Sequence, residues 1–286
     1  MSVIVVAGAD SGAGASTVAV GLAHRLAYAG HTVQLARLEG GAGDARAAGD
    51  AVAFGLLEFA RASGAAVGEG AVPKGDGVTV VEAPAGIDGG AAAALASRLG
   101  GRLVFVGREG ASVPAGALHL VNHARTAGAL RLPEDRLLAG PTVGALIAAS
   151  RAQVLARSEL GERDIIEHIV VSPIASDPND AHFARYTRKA VVARSEKVDS
   201  ALAALRSDTR CLILSGGTDP SPYIVDRVAA DRRVTLLLAP EGTIETVRDI
   251  EGTFGRSAFS GEEKVERIGA LLRAAIDDAT LASLLA

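Results

Sequence analysis

The chain has 286 residues, of which 49% are hydrophobic and 22% charged, a balance that supports a packed core and argues against disorder. The net charge of -4, without any face-sized run of lysine and arginine, argues against a nucleic-acid partner. No apolar stretch reaches the roughly 18 residues of a membrane span, and a single cysteine, Cys211, excludes a disulfide within the chain. We therefore expect a cytoplasmic protein with no membrane partner.

The first 160 residues alternate short apolar runs with amphipathic stretches. Val18, Leu22 and Leu26 recur at helical spacing after the first apolar run, and this helix is expected to end near Gly30. Strands are predicted at 3–7, 32–35, 78–81, 103–106 and 118–121, with further helices at 45–63 and 91–99. Strands that alternate with helices predict a parallel sheet covered on both faces. The segment 107–117 looks too short for a crossover helix, so a rearranged sheet is expected there.

The second half repeats the alternation on a smaller scale. Residues 133–146 are interpreted as connecting structure and 147–160 as a helix, with a domain boundary near residue 160. Beyond it, strands are predicted at 165–171, 190–193, 211–214 and 234–238, and helices at 179–186, 198–205, 220–230, 243–254 and from 261 to the C-terminus. The prediction is thus an α/β protein with domains at 1–160 and 161–286.

A glycine-rich stretch lies between the first strand and the first helix. Glycines let such a loop curl, so that its N–H groups point at a phosphate above the positive end of a helix. This stretch is typical of the P-loop fold, and its candidate phosphate-binding residues are Gly8, Asp10, Ser11, Gly12, Gly14, Ser16 and Thr17.

The lysine that normally precedes the loop hydroxyl is replaced by Ala15. The first lysine of the chain is Lys74, and Arg37, at the end of the second strand, is the best candidate to reach the site in its place. One lost charge-assisted hydrogen bond costs about 1.5–3 kcal/mol in binding. Phosphoryl transfer depends on such charges more steeply than binding does, so we expect catalysis to be lost before affinity.

These residues are similar to a known family. The pattern Gly8-x-Asp10-Ser11-x-x-Gly14-x-Ser16 resembles the loop of dethiobiotin synthetase, Gly-Thr-Asp-Thr-x-x-Gly-Lys-Thr, and the strand ending at Glu82 resembles that family's Val-Glu-Gly-Ala-Gly-Gly. The second half resembles the DRTGG domain in three stretches: Ala193-Arg194-Ser195, Leu212-Ile213-Leu214-Ser215-Gly216-Gly217, and Val234-Thr235-Leu236-Leu237-Leu238 leading to Thr243. This order resembles the N-terminal part of long bacterial phosphotransacetylases and the BioD-like phosphotransacetylase family. Because the sequence stops at Ala286, we do not expect phosphate acetyltransferase activity.

The resemblance implies ATP or ADP and Mg²⁺ as cofactors. It implies Ser16, Asp50 and Glu82 as Mg²⁺ ligands, with Asp44 as an alternative to Asp50, and Asn122 as the residue that reads adenine. In the second domain, the predicted small-ligand residues are Arg194, Ser215, Gly216 and Gly217, which stand at strand ends where open α/β sheets bind ligands.

Three functions remain open on this sequence. The first is a regulatory protein, with little or no catalysis, that senses a nucleotide or small anion. The second is an ATP- and Mg²⁺-dependent ligase or carboxylase resembling dethiobiotin synthetase, with Arg37 acting for the lysine. The third is a structural or assembly protein without a ligand in the first domain. A homodimer is expected in each case.

Overall fold

The computed structural model describes residues 2–40, 60–62, 67–73, 75–173, 181–257, 259 and 261–286. Its contacts divide the chain into two units, the first comprising Met1–Leu138 and Ala258–Ala286, the second Ala139–Ser257. Each unit has its own sheet, as the α/β prediction requires. In the part of the chain that is described, every helix is too short or too polar to cross a bilayer.

The first unit is built on a seven-stranded sheet in which all paired strands are parallel. Its strands are β1 (Ser2–Gly8), β2 (Val33–Arg37), β3 (Ala60–Ala62), β4 (Val78–Glu82), β5 (Arg102–Gly107), β6 (Leu118–Ala124) and β7 (Arg131–Pro133), in the spatial order β3-β2-β4-β1-β5-β6-β7. Strands β2 to β4 lie on one side of β1 and β5 to β7 on the other, so the direction of the strand order changes at β1. The loop after β1 therefore lies where open α/β sheets bind ligands.

Both faces of this sheet are covered, because alternate residues of β1 enter different apolar clusters. Ile4 and Val6 pack with α1 (Ala15–Tyr28), whereas Val3 and Val5 pack with α2 (Gly89–Arg98). The uniformly apolar sequence of β1 is therefore explained by burial on two sides.

The short connection between β5 and β6 does not rearrange the sheet, which corrects the expectation for residues 107–117. The two strands are parallel neighbours, joined without a helix. Val113 and Ala117 pack against the cluster on the α2 face, and a Cβ placed on Gly89 would lie 2.8 Å from Pro114 Cγ. The connection thus covers the sheet itself, in the place where a crossover helix would otherwise lie.

The C-terminal segment belongs to the first unit. Helices α8 (Glu262–Ala275) and α9 (Asp278–Leu285) return to it, and α8 packs closely on α1 because glycines face side chains across the contact. A Cβ on Gly21 would lie 2.5 Å from Leu272 Cδ1, and one on Gly269 would lie 2.4 Å from His24 Nδ1. The division by contacts therefore differs from the predicted boundary near residue 160, since periodicity does not show which sheet a terminal helix joins.

The second unit has a five-stranded sheet in the order β8-β12-β11-β10-β9. Its strands are β8 (Gln153–Ala156), β9 (His168–Val171), β10 (Lys189–Arg194), β11 (Thr209–Ser215) and β12 (Thr235–Leu238), and β8 alone of these runs antiparallel to its neighbour. Its helices are α4 (Val143–Ser150), α5 (Val198–Leu205), α6 (Pro222–Asp231) and α7 (Thr243–Glu251), while the short α3 (Arg136–Ala139) lies at the boundary between the units.

The helix predicted at 147–160 is wrong beyond Ser150. Helix α4 begins earlier, with the Thr142 side chain accepting from the Ala145 amide, and ends where Arg151 adopts φ 53°. Strand β8 then follows. The apolar run continued across this boundary, so periodicity alone could not separate the helix from the strand. The predicted helix at 179–186 begins outside the described residues, and the part described contains a 3₁₀ turn, Phe183–Arg185.

Candidate functional site

The glycine-rich loop joins β1 to α1 in an exposed, tightly turned conformation. Residues 9–12 are exposed, and the Asp10 carboxylate accepts a 2.7 Å hydrogen bond from the Gly12 amide. Gly14 stands immediately before α1 at φ 89°, in the left-handed region that favours glycine. The sequence therefore forms the strand–loop–helix unit that a phosphate-binding loop needs.

The start of α1 is open to an anion. Among the described residues, no side chain caps this helix, and its first turn holds no acidic residue. The first amides of a helix have no acceptor within it and carry a partial positive charge. The Asp10 carboxylate occupies the Gly12 amide and adds a negative charge to the loop, so an anion would be bound by amides at the beginning of α1.

Ser16, Arg37 and Glu82 meet beneath the loop. Arg37 and Glu82 are register partners on β2 and β4, and both are almost completely buried. Arg37 Nη2 lies 3.6 Å from Glu82 Oε1, and Ser16 Oγ donates a 2.6 Å hydrogen bond to the same oxygen. The guanidinium predicted to replace the loop lysine is therefore directed at a carboxylate.

The described residues present only part of the predicted Mg²⁺ site, the hydroxyl of Ser16 and the carboxylate of Glu82. A cation site needs carboxylates facing an ion, yet Glu82 already faces the charge of Arg37. Within the described ranges, no group of three histidine, cysteine, aspartate or glutamate side chains could hold a metal. Of the other predicted ligands, Ser16 contacts Glu82, and Asp50, like its alternative Asp44, lies outside the described residues.

Asn122 contacts the loop backbone. Its Nδ2 donates a 2.8 Å hydrogen bond to the Ala13 carbonyl, and a Cβ added to Gly14 would lie 2.4 Å from the same nitrogen. This contact with the loop backbone differs from the role that the family resemblance implied for Asn122, which was to contact adenine. In the structure, Asn122 positions the loop, and Gly14 leaves the space for it.

The predicted ligand residues of the second unit form a closed turn after β11. Gly216 and Gly217 have φ values of 101° and 65°, and their amides donate to the carbonyls of Glu241 at 2.7 Å and Ala239 at 3.0 Å. Ser215 Oγ lies 2.8 Å from Thr243 Oγ1. The turn therefore binds the loop before α7 and offers neither glycine amide to a ligand.

The other predicted residues keep their expected places. Arg194 is exposed at the end of β10, 3.8 Å from Glu196, and Ser11 is exposed in the glycine-rich loop. Gly8 ends β1, where an added Cβ would lie 3.0 Å from the Asp10 carbonyl. Close packing of the backbone thus accounts for the first glycine of the loop.

Sequence reasoning missed an arginine-lined cavity in the second unit. Five arginines line it: Arg206, Arg210, Arg227, Arg232 and Arg233. They come from the end of α5, the start of β11, the body of α6 and the segment before β12. The doublet Arg232-Arg233 was the only local signal, and no spacing rule joins it to the other three.

Comparison with known proteins adds one family and one solved structure. Residues 145–253 match the family model of the DRTGG domain. The solved structure is that of the CBS and DRTGG domains of the regulatory region of Clostridium perfringens pyrophosphatase, complexed with the activator diadenosine tetraphosphate. It is 14% identical with a TM-score of 0.36, over 42% of this chain and 52% of that chain. The present chain thus spans about half of that structure. Because the TM-score is this low, binding of the activator is stated of that protein alone. A DRTGG domain therefore occupies residues 145–253, which lie within the second unit.

Proposed function

We propose that the chain is a regulatory protein that binds the phosphate of a nucleotide, or another small anion, at the glycine-rich loop without turning it over. The observation that carries the proposal is the start of α1 under an exposed glycine loop, which has no acidic first turn and, among the described residues, no side-chain cap. Oriented amides at such a position attract a negative ligand.

The absence of turnover follows from the charges around the loop. Ala15 supplies no cation, and Arg37 is held against Glu82. The amides contact a bound phosphate equally in its ground and transition states, which gives affinity without acceleration. The charge that develops during phosphoryl transfer would meet no additional cation from these residues.

The second unit, with its DRTGG domain, is the proposed output element. A dethiobiotin-synthetase-like origin of the first unit and a homodimeric assembly belong to the same proposal. Light scattering with and without the bound anion measures the assembly. A dimer whose population changes on binding would support a regulatory output.

Calorimetric titration with ATP, ADP, AMP and inorganic phosphate, with Mg²⁺ and with EDTA, tests the site. We expect binding whose Kd is unchanged by Mg²⁺, because Glu82 already faces Arg37. Ala15→Glu places a negative charge in the first turn of α1 and should weaken binding about fivefold or more. Ala15→Gln has nearly the same shape without the charge and is the matched control.

Two further variants should act in the opposite direction. Ala15→Lys restores the missing cation and should strengthen binding about tenfold or more. Asp10→Asn keeps an acceptor for the Gly12 amide while it removes the carboxylate charge, and should strengthen binding modestly. No heat with any of these anions up to millimolar concentration would exclude the proposal and favour a structural or assembly protein.

A second candidate is an ATP- and Mg²⁺-dependent ligase or carboxylase. The contact of Ser16 with Glu82 favours it, because the resemblance implies both as Mg²⁺ ligands. This function requires Arg37 to leave Glu82 when the cation binds. Steady ATP turnover that Glu82→Gln abolishes would establish it, whereas Mg²⁺-independent binding without turnover would exclude it.

A further inference from the structure

We propose that the second unit has an anion site of its own, in the cavity at the amino-terminal edge of its parallel strands, and that it takes a small ligand carrying two or more phosphate groups. This site is separate from the glycine-rich loop. It also lies at the edge opposite to Arg194 and Ser215, which stand at the carboxyl ends of β10 and β11.

The position of the cavity follows from the elements that surround it. Thr209 begins β11 and Val234 precedes β12, while Leu205 ends α5. Antiparallel β8 ends at the same edge and is followed there by Ser158. The cavity has a volume of about 620 Å³, which is within the usual size of small-ligand pockets.

The cavity is basic although the chain as a whole is acidic. Among the described residues that line it, the five arginines face three carboxylates, those of Glu159, Asp164 and Asp208, whereas the whole chain carries a net charge of -4. A local excess of guanidinium groups in an acidic protein is typical of a surface that binds an anion.

Two of the carboxylates are directed at a single arginine. Arg210 Nε donates a 3.0 Å hydrogen bond to Asp208 Oδ1, and Arg210 Nη1 lies 3.9 Å from the buried carboxylate of Asp164. Asp208 Oδ2 also accepts from the Arg188 amide. Asp208 and Asp164 thus fix Arg210 in the cavity wall and are directed at this one arginine.

Arg227 and Arg232 carry most of the proposal. In the described part of the chain, no carboxylate oxygen lies within 4 Å of either guanidinium, whereas their neighbour Arg233 is bound by Asp231 through two hydrogen bonds of 2.6 and 2.7 Å. Arg227 lies on α6, and Arg232 follows the end of that helix at φ 54°. A basic residue there also suits the negative end of the helix dipole, a local role that would not need the cavity.

The chemistry of the lining selects the ligand class. Guanidinium groups bind phosphate oxygens in a fork geometry. No aromatic side chain is present among the described lining residues, so a nucleobase would find nothing to stack on. A compact polyphosphate therefore fits the cavity better than a ligand recognised through its base.

Titration with inorganic tripolyphosphate tests the proposal on the full chain. The test variant is Arg227→Gln/Arg232→Gly, in which glutamine is well accepted in a helix and glycine readily adopts the positive φ of residue 232. We expect tripolyphosphate to bind at least about tenfold more weakly to this variant than to the parent. Because tripolyphosphate would also meet the loop of the first unit, the parent and the variant both carry Ala15→Glu, which weakens anion binding there. Arg194→Gln, which changes the opposite edge of the second unit, should leave the remaining binding unchanged.

Each outcome decides the proposal. Selective loss in the double variant, with hydrogen-exchange protection of segments 205–210 and 231–234 in the parent, supports it. Unchanged binding in the double variant, an equal loss in Arg194→Gln, or no binding by the Ala15→Glu parent would overturn it. If circular dichroism shows that the double variant does not fold, tripolyphosphate binding is compared between the single variants Arg227→Gln and Arg227→Lys. Only the lysine variant keeps the positive charge and should retain binding.

Discussion

The two units both place glycines after a central parallel strand, yet they use them differently. The loop after β1 leaves the first amides of α1 without a side-chain cap, whereas the amides of Gly216 and Gly217 after β11 donate to the carbonyls of Glu241 and Ala239. Both turns require positive φ values. A glycine pattern therefore predicts the path of the backbone, and the neighbouring loop decides whether amides remain for a ligand.

The side chains beneath the two turns differ as well. In the first unit, a buried guanidinium and carboxylate, Arg37 and Glu82, meet at the ends of adjacent strands. In the second unit, two hydroxyl groups, those of Ser215 and Thr243, connect the end of β11 to the start of α7. Charge thus stabilises one edge, and neutral hydrogen bonds stabilise the other.

Arg37→Met should lower the free energy of unfolding more than any of the other substitutions, because it removes the guanidinium that faces Glu82 in the first unit. Removal of one partner leaves the Glu82 carboxylate buried beside an apolar side chain, which costs about 3–5 kcal/mol. Urea denaturation of the parent and the variant measures the free energy of unfolding.

Ser215→Ala is the matched change at the neutral edge. Loss of its hydroxyl should cost only about 1 kcal/mol. The double variant Arg37→Met/Glu82→Gln should regain part of the stability that Arg37→Met loses, because it removes the Glu82 charge that faced the guanidinium. Equal losses for Arg37→Met and Ser215→Ala would contradict the contrast between a charged and a neutral edge.

Gly14→Ala tests how the open loop is held. Gly14 and Gly30 share φ 89°, but a Cβ on Gly14 would lie 2.4 Å from Asn122 Nδ2, whereas no atom of the described residues lies within 4 Å of one on Gly30. Both substitutions carry the cost of positive φ, about 1–2 kcal/mol. Gly14→Ala should cost about 1 kcal/mol more, since it also displaces the hydrogen bond from Asn122 to Ala13.

The difference between these two variants is the quantity to compare, by thermal and urea denaturation. Asn122→Ala in the Gly14→Ala background should add little, since the same contact is already lost. If the two glycine variants lose equal stability, Asn122 does not position the loop.

The sequence predicted the layered α/β fold well because buried strands and amphipathic helices leave local signals. Helix 198–205 agrees with Val198–Leu205 at both ends, and nine of the twelve described strands lie close to predicted ones. Strands β3, β7 and β8 were not predicted: β3 occupies the end of the predicted helix 45–63, whose residues up to 59 lie outside the described ones, and β8 lies within the predicted helix 147–160. The break at Arg151 and the return of α8 to the first unit were not predictable, because both depend on tertiary packing.

The candidate site was predictable in its backbone and less so in its side-chain partners. The loop, Ser16, Arg37 and Glu82 come together at one edge, as strand ends in a parallel sheet must. That Arg37 would face Glu82 depends on the register of β2 with β4, which no single segment encodes. The arginines of the cavity are separated along the chain in the same way, so only the fold reveals them.

The predicted effect that is smallest at neutral pH is a pH dependence of stability, and it separates the two units because each buries a lysine. Burial lowers the pKa of Lys264 in the first unit and that of Lys189 in the second, each from 10.5 to about 8. Between pH 8 and 10.5, the unfolded lysine keeps a proton that the folded one has lost, so the free energy of unfolding rises with pH. The slope approaches about 1.4 kcal/mol per pH unit for each lysine and vanishes below the folded pKa.

The buried thiol of Cys211 has a raised pKa and acts in the opposite direction at alkaline pH, so the series belongs in a Cys211→Ala background. Lys264→Met and Lys189→Met should each remove about half of the slope. Each substitution also removes a hydrogen bond, from Lys264 to the Leu138 carbonyl or from Lys189 to the Tyr186 carbonyl. The loss of that bond shifts the free energy of unfolding by a similar amount at every pH, so the change in slope reports on the titration of the lysine alone. A slope that survives in Lys264→Met but vanishes in Lys189→Met would mean that only the second unit holds its lysine away from water.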